Sequence, residues 1–242
     1  MVDEYVLYKE KCREYAEAND AKYQREGKGD WAKTWYDENR NEISLQLLGD
    51  ICKDKRVLSV GGRQWREREL MDAIDAREKV VTDIIGQPEW DVIEVDACDL
   101  PYPNGSFDVL ICRELIEHVL DDEKLLNEAW RVLAEGGYML ITTPNAFGST
   151  VDGVVHVRGY SPQYLLETLA GHAFEIVKKA GNMPYIFFTF ARTNKQGNIG
   201  VFRDFWNIGK IVKNYEDLYY ICSQMFVLCR KRTENAVIKG SA

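Results

Sequence analysis

Short apolar runs alternating with helical stretches predict an α/β protein, with a mostly parallel sheet and helices on both faces. Two observations carry that prediction. The first is the alternation itself, which begins at Arg56 and continues through the middle of the chain. The second is the punctuation at the ends of the runs. Gly61-Gly62 closes the first run, Asp83 closes the second, and the turn-forming stretch from Leu100 to Gly105 precedes the fourth.

The expected strands fall at about 56–60, 79–83, 91–95, 107–112, 137–143, 174–179 and 225–230. The expected helices between them fall at about 64–76, 121–134 and 161–171. The last of these starts on Ser161 as N-cap and Pro162 at the first helical position. Ahead of the first strand, a helix is expected from Tyr5 to Gln24, a loop at 26–30, and a second helix from Trp31 to about Ile51. Ile43, Leu47, Leu48 and Ile51 recur at spacings of three and four, so that helix has one apolar face. The chain therefore divides into a helical arm, 1–52, and a sheet domain, 53–242. The apolar face suits packing on the edge of the sheet. An aromatic insert at about 183–218, with Tyr185, Phe187, Phe188, Phe190, Phe202, Phe205 and Trp206, is too long for a hairpin turn. It reads as a second core under a long loop or a homo-oligomer interface, and the family resemblance given below adds a substrate lid. A frayed tail follows Glu234.

A chain of 242 residues is long enough for one well-packed core. Its net charge of −8 argues against a general nucleic-acid binder, which needs a basic face to displace phosphate counterions. The six cysteines form no CxxC pair, and no nearby histidine completes a zinc spacing, so no metal ligands are assigned. Reduced thiols in a cytoplasmic protein are expected. The N-terminus lacks the layout of a signal peptide, and no apolar stretch is long enough for a membrane span.

Candidate site residues sit at the ends of the expected strands, where an open parallel sheet binds its ligands. Gly61 and Gly62 suit close backbone approach, and Ser59 stands just before them. Asp83 ends the second strand at the distance from the glycines where a carboxylate takes ribose hydroxyls. Asp96-Ala97 follows the third strand, Arg113-Glu114 the fourth, and Glu117-His118 comes next. The order and spacing over roughly residues 55 to 180 resemble the class I S-adenosylmethionine (SAM)-dependent methyltransferases, in their small-molecule branch. The resemblance implies a Rossmann-like, doubly wound seven-stranded sheet with an antiparallel last strand. It implies S-adenosylmethionine as cofactor. Asp83 would hold the ribose and Asp96 and Ala97 the adenine, while Ser59, Gly61, Gly62, Arg113 and Glu114 border the methionyl part. The glycine loop departs from the family. Ser59 stands where an acid is usual, and Arg63 and Trp65 stand at the later glycine positions.

His118 and His156 are the candidate catalytic residues, as bases for a hydroxyl acceptor. Each has a plainer reading, a histidine that fixes its loop by hydrogen bonds. The function implied is methyl transfer to an oxygen, or as second choice a nitrogen, of a small metabolite such as a sugar. No nucleic-acid or membrane partner is implied, and a homo-oligomer stays open. The alternative is a non-catalytic or altered member of the fold acting as a binding or scaffold module, motivated by Arg63 and Trp65 in the glycine loop. A nicotinamide dehydrogenase is disfavoured, because Arg63 and Arg66 occupy the later positions of G-x-G-x-x-G.

Overall fold

A computed structural model describes residues 31–63, 65–146, 156–182 and 218–233, together with Val6, Leu7, Glu10, Lys11 and Glu14. The aromatic insert from Tyr185 to Trp206, most of the Tyr5–Gln24 helix and the tail after Glu234 lie outside the described residues.

In chain order the elements are α1 (Trp31–Leu48), β1 (Arg56–Val60), α2 (Trp65–Ala73), β2 (Glu78–Asp83), β3 (Val92–Glu94), β4 (Phe107–Arg113), α3 (Asp122–Val132), β5 (Leu133–Pro144), α4 (Pro162–Gly171), β6 (Phe174–Gly181) and β7 (Gln224–Lys231). The sheet runs β3-β2-β1-β4-β5-β7-β6. β7 pairs antiparallel with both β5 and β6, and the remaining pairings are parallel. The strand order reverses between β1 and β4. Their carboxyl ends therefore flank the crevice in which such sheets bind ligands.

Side chains alternate across the central strands and build two cores. Leu58, Val60, Leu110, Cys112, Met139, Ile141 and Val227 face the layer formed by α3 and α4. Val57, Val109, Ile111, Leu140, Phe226 and Leu228 face Ile43, Leu47 and Leu48 of α1 and Leu70 and Met71 of α2. Burial on both faces explains why these strands read as near-continuous apolar runs. The apolar stripe of α1 is thus part of the sheet's helical layer.

The local signals act as expected. The Ser161 hydroxyl accepts from the Tyr164 amide at 3.2 Å, and Pro162 opens α4. The Asp121 carboxylate caps α3 by accepting from Lys124 N–H at 2.9 Å. The largest departure is β5, expected from 137 and observed from Leu133. Phe107 pairs with Leu133, and the register then shifts before Val109 meets Tyr138. The glycine pair Gly136-Gly137 lies inside that irregularity, at the position where the strand was expected to start. The helix expected to reach Ile51 ends at Leu48 and tightens into a 3₁₀ turn over Gly49–Cys52. No helix among the described residues is long and apolar enough to cross a membrane.

Candidate functional site at the carboxyl edge of the sheet

Gly61 turns the chain from β1 toward α2 with φ of 73°, a left-handed conformation that glycine adopts without steric cost. Gly62 answers to packing. Its N–H donates to the Thr82 carbonyl at 3.0 Å, and a Cβ there would lie 2.6 Å from Val81 Cγ1. The second glycine is what lets this turn lie against β2.

Ser59 does not face an open cleft. Its hydroxyl donates to Glu67 Oε1 at 2.6 Å, in a fully buried setting. Glu67 Oε2 accepts from Arg113 Nε and Nη2, both at 2.8 Å. Arg113 Nη1 donates to Asn41 Oδ1 at 2.9 Å and to Ser44 Oγ at 3.3 Å. The network joins β1, α2, β4 and α1 beneath the glycine loop. It sets a carboxylate from α2 beside Ser59, with both oxygens engaged inside the network. Burial lowers the Arg113 pKa, and the Glu67 charge opposes that effect. Arg63 is buried as well. The side chain of Trp65 lies outside the described residues.

Asp83 ends β2 half-buried. Its Oδ2 accepts from Arg63 N–H at 3.3 Å and its Oδ1 from Ile85 N–H at 3.0 Å. The Val95 amide donates to the Asp83 carbonyl at 2.8 Å, so the chain leaving β3 stays beside it. Asp96 follows in a tight Asx turn, accepting from Cys98 N–H at 2.9 Å. Asp83, Asp96 and Ala97 are therefore gathered at one end of the sheet.

Beyond β4, Glu114 takes a left-handed φ of 52°. Its amide donates to the Thr142 carbonyl at 2.9 Å, and its carboxylate accepts from Thr142 Oγ1 at 3.0 Å. Glu117 is 2 % exposed. Its Oε2 accepts from Thr143 Oγ1 at 3.0 Å, whereas its Oε1 is buried without a hydrogen-bond partner. Burial first, and then the Glu114 charge, hold the Glu117 carboxyl well above the usual carboxylate range. His118 Nε2 stands 3.7 Å from Glu117 Oε1.

His156, distant in sequence, comes to the same place. Its ring centroid is 4.9 Å from that of His118. The Val157 amide donates to the Glu117 carbonyl at 2.9 Å. Arg158 donates to the Leu120 carbonyl at 2.6 Å and pairs with Asp122, which also accepts from the Tyr160 hydroxyl at 2.5 Å. Arg158 and Tyr160 thus dock the histidine-bearing loop onto the start of α3. Sequence reading missed Glu67, Thr142 and Thr143. The last two hide inside an apolar run, and Glu67 looks like an ordinary surface residue of a charged helix.

The chain is similar to known proteins in sequence and fold. Residues 69–141 match a family model described as a methyltransferase domain. A probable S-adenosylmethionine-dependent methyltransferase of Mycolicibacterium smegmatis is 28% identical over 160 residues, 61% of this chain and 62% of that protein. The chain thus spans less than two thirds of that relative's length, and less than half of two similar mycobacterial proteins. Among solved structures, the Burkholderia thailandensis 1,6-didemethyltoxoflavin-N1-methyltransferase superposes with a TM-score of 0.57 at 14% identity, over 91% of this chain and 90% of that one. The cyclase SpnF superposes with a TM-score of 0.52 at 19% identity, over 80% of this chain and 82% of that one. These structural likenesses speak to the fold. The domain match and the relatives make the chain similar to S-adenosylmethionine-dependent methyltransferases.

Proposed function

We propose that the protein binds S-adenosylmethionine and transfers its methyl group to an oxygen, or as second choice a nitrogen, of a small metabolite. The observation that carries this reading is the gathering of Asp83, Asp96 and Ala97 at the carboxyl edge, on the β2–β3 side of the β1/β4 reversal. The residues fit an adenosyl group at that end. The Arg63 and Ile85 amides fix the Asp83 carboxylate at the end of β2, where it would meet ribose hydroxyls. Asp96 and the Ala97 amide would receive the adenine edge. The glycine at position 61 leaves the backbone open to approach, and the Arg113 and Glu114 backbone would border the methionyl part. Ser59 and Gly62 act from below, through Glu67 and through packing on β2.

The cofactor supplies an electrophilic methyl carried on a sulfonium, and little beyond orientation is then required of the protein. His118 and His156 stand together at the same rim and would take the proton that a hydroxyl acceptor loses. We place the protein in the cytoplasm, in keeping with free, buried thiols at Cys52, Cys98, Cys112, Cys222 and Cys229. Relatives that act on small molecules, among them a sarcosine/dimethylglycine N-methyltransferase of Halorhodospira halochloris, support a small-molecule acceptor.

A second reading, a non-catalytic or altered member of the fold acting as a binding or scaffold module, is favoured by one observation. The space under the glycine loop is taken by the Glu67–Arg113 pair. Thermal unfolding with SAM, S-adenosylhomocysteine and NAD, on the native protein and on Asp83→Ala, tests both readings. Ligand at about 100-fold over its dissociation constant adds about 2.7 kcal/mol. Stabilisation by the adenosyl ligands alone, weakened in Asp83→Ala, is expected. Its absence at millimolar ligand overturns the proposal. Binding without transfer of labelled methyl across an acceptor panel leaves the second reading standing.

A further inference from the structure

We propose that Glu117, His118 and His156 form a binding site for a first-row divalent transition-metal ion at the rim of the sheet. Each of the three residues offers one ligand atom, and all three atoms lie within 4.8 Å of one another. Ligand bonds of about 2.1 Å to one centre require the donors to stand about 3 to 4 Å apart, so the trio needs only a small contraction.

Three independent features point to an ion. Glu117 is almost completely buried, and its Oε1 has no hydrogen-bond partner. A buried carboxyl oxygen left without a hydrogen bond is costly, and a cation at the His118 side, taking the place of the carboxyl proton, offsets the cost. Thr143 holds the other oxygen and so fixes which one faces the histidines. The second feature is the frame. The Val157–Glu117 backbone hydrogen bond and the Arg158 contacts to Leu120 and Asp122 hold the two histidine-bearing segments together before any ligand arrives. The third is donor chemistry. Two imidazoles and one carboxylate suit zinc, iron, cobalt or nickel rather than magnesium or calcium, and three protein ligands leave positions open for water or an acceptor oxygen.

Metal binding goes beyond the methyl-transfer reading and does not depend on it. One consequence does rest on that reading. With the ion bound, the imidazole lone pairs are committed, and an acceptor hydroxyl would lose its proton to solvent by coordination to the ion rather than to a histidine.

The test uses the full chain, stripped with chelator and free of cofactor. Zn²⁺ is titrated by calorimetry and Co²⁺ by visible absorption. The expected result is one saturable site per chain, with cobalt bands of a low-coordinate nitrogen/oxygen set. Binding should fall by about tenfold or more in His156→Ala and in Glu117→Gln, a loss at least as large as that for removing an outer-shell partner. His172→Ala should bind as the native protein does, since that ring contacts the Thr168 carbonyl at the end of α4. His156→Gln, on the half-buried loop, serves if Glu117→Gln fails to fold. No saturable binding at millimolar metal, or binding indifferent to both His156 variants, overturns the proposal.

Discussion

At the residue scale, the buried Glu67–Arg113 pair is where this chain departs most from expectation. The two side chains are 8 % and 3 % exposed, and each is held by further hydrogen bonds. Removing one partner strands a buried charge. Glu67→Ala should therefore lose about 3–5 kcal/mol in chemical denaturation. The double variant Glu67→Leu/Arg113→Met should recover most of that loss, because a matched apolar pair replaces both charges. If both single variants and the double lose the same amount, the pair is not what holds the loop. Gly61 gives a second residue-level prediction. Gly61→Ala places a methyl 3.0 Å from the Leu115 tip at a left-handed φ, and should cost about 1–2 kcal/mol. Neither effect could be read from the sequence. Ser59 signalled a missing acid, but the carboxylate beside it comes from a helix whose partners depend on how α1, α2 and β4 meet.

At the element scale, the loop from Leu100 to Asn104 is clamped by α3. Glu128 Oε2 accepts from Leu100 N–H at 2.8 Å. Arg131 donates to the Leu100 and Tyr102 carbonyls and to Asn104 Oδ1, and its guanidinium also pairs with Glu128. The Arg131 hydrogen bonds lower the Glu128 pKa, against an opposing effect of burial. A carboxylate with a lowered folded-state pKa contributes stability above its unfolded pKa and loses it as pH falls through the folded value. The stability gap between native protein and Glu128→Gln should thus be present at pH 7 and close below about pH 4. A gap that persists unchanged into acid would assign the contribution to shape rather than charge. The sequence showed the turn chemistry of this loop. It did not show the clamp, because Glu128 and Arg131 read there as a routine charged pair on a helix face. The β5 boundary failed for a related reason. Gly136-Gly137 looks like a strand break, yet the register shift opposite Phe107 absorbs it.

At the scale of the whole molecule, the two cores enclose the thiols. Burial pushes the Cys52 thiol up to about 11 and the Cys98 and Cys222 thiols up to about 12. Burial also raises the Cys112 and Cys229 thiols, which lie fully inside the sheet layers. In the native protein at pH 8, a thiol reagent should leave these five unreacted over a time in which all six cysteines react in denaturant. Rapid native labelling of Cys112 or Cys229, located by peptide mass, would show that the sheet layers open far more readily than their packing implies.

The sequence by itself determined the alternation of strands and helices, the caps of α4, and the positions of Gly61, Asp83 and Asp96 at strand ends. Those features are local: apolar period, turn chemistry and chain spacing act over a few residues. Tertiary structure alone decided the rest. It brought His156 to His118, set Glu117 in a buried place with one oxygen without a hydrogen bond, and put Glu67 where Ser59 lacks a charge. Each of those outcomes depends on which strand lies beside which, and on which loops share a rim. The order β3-β2-β1-β4-β5-β7-β6 decides both, and no window of sequence contains it.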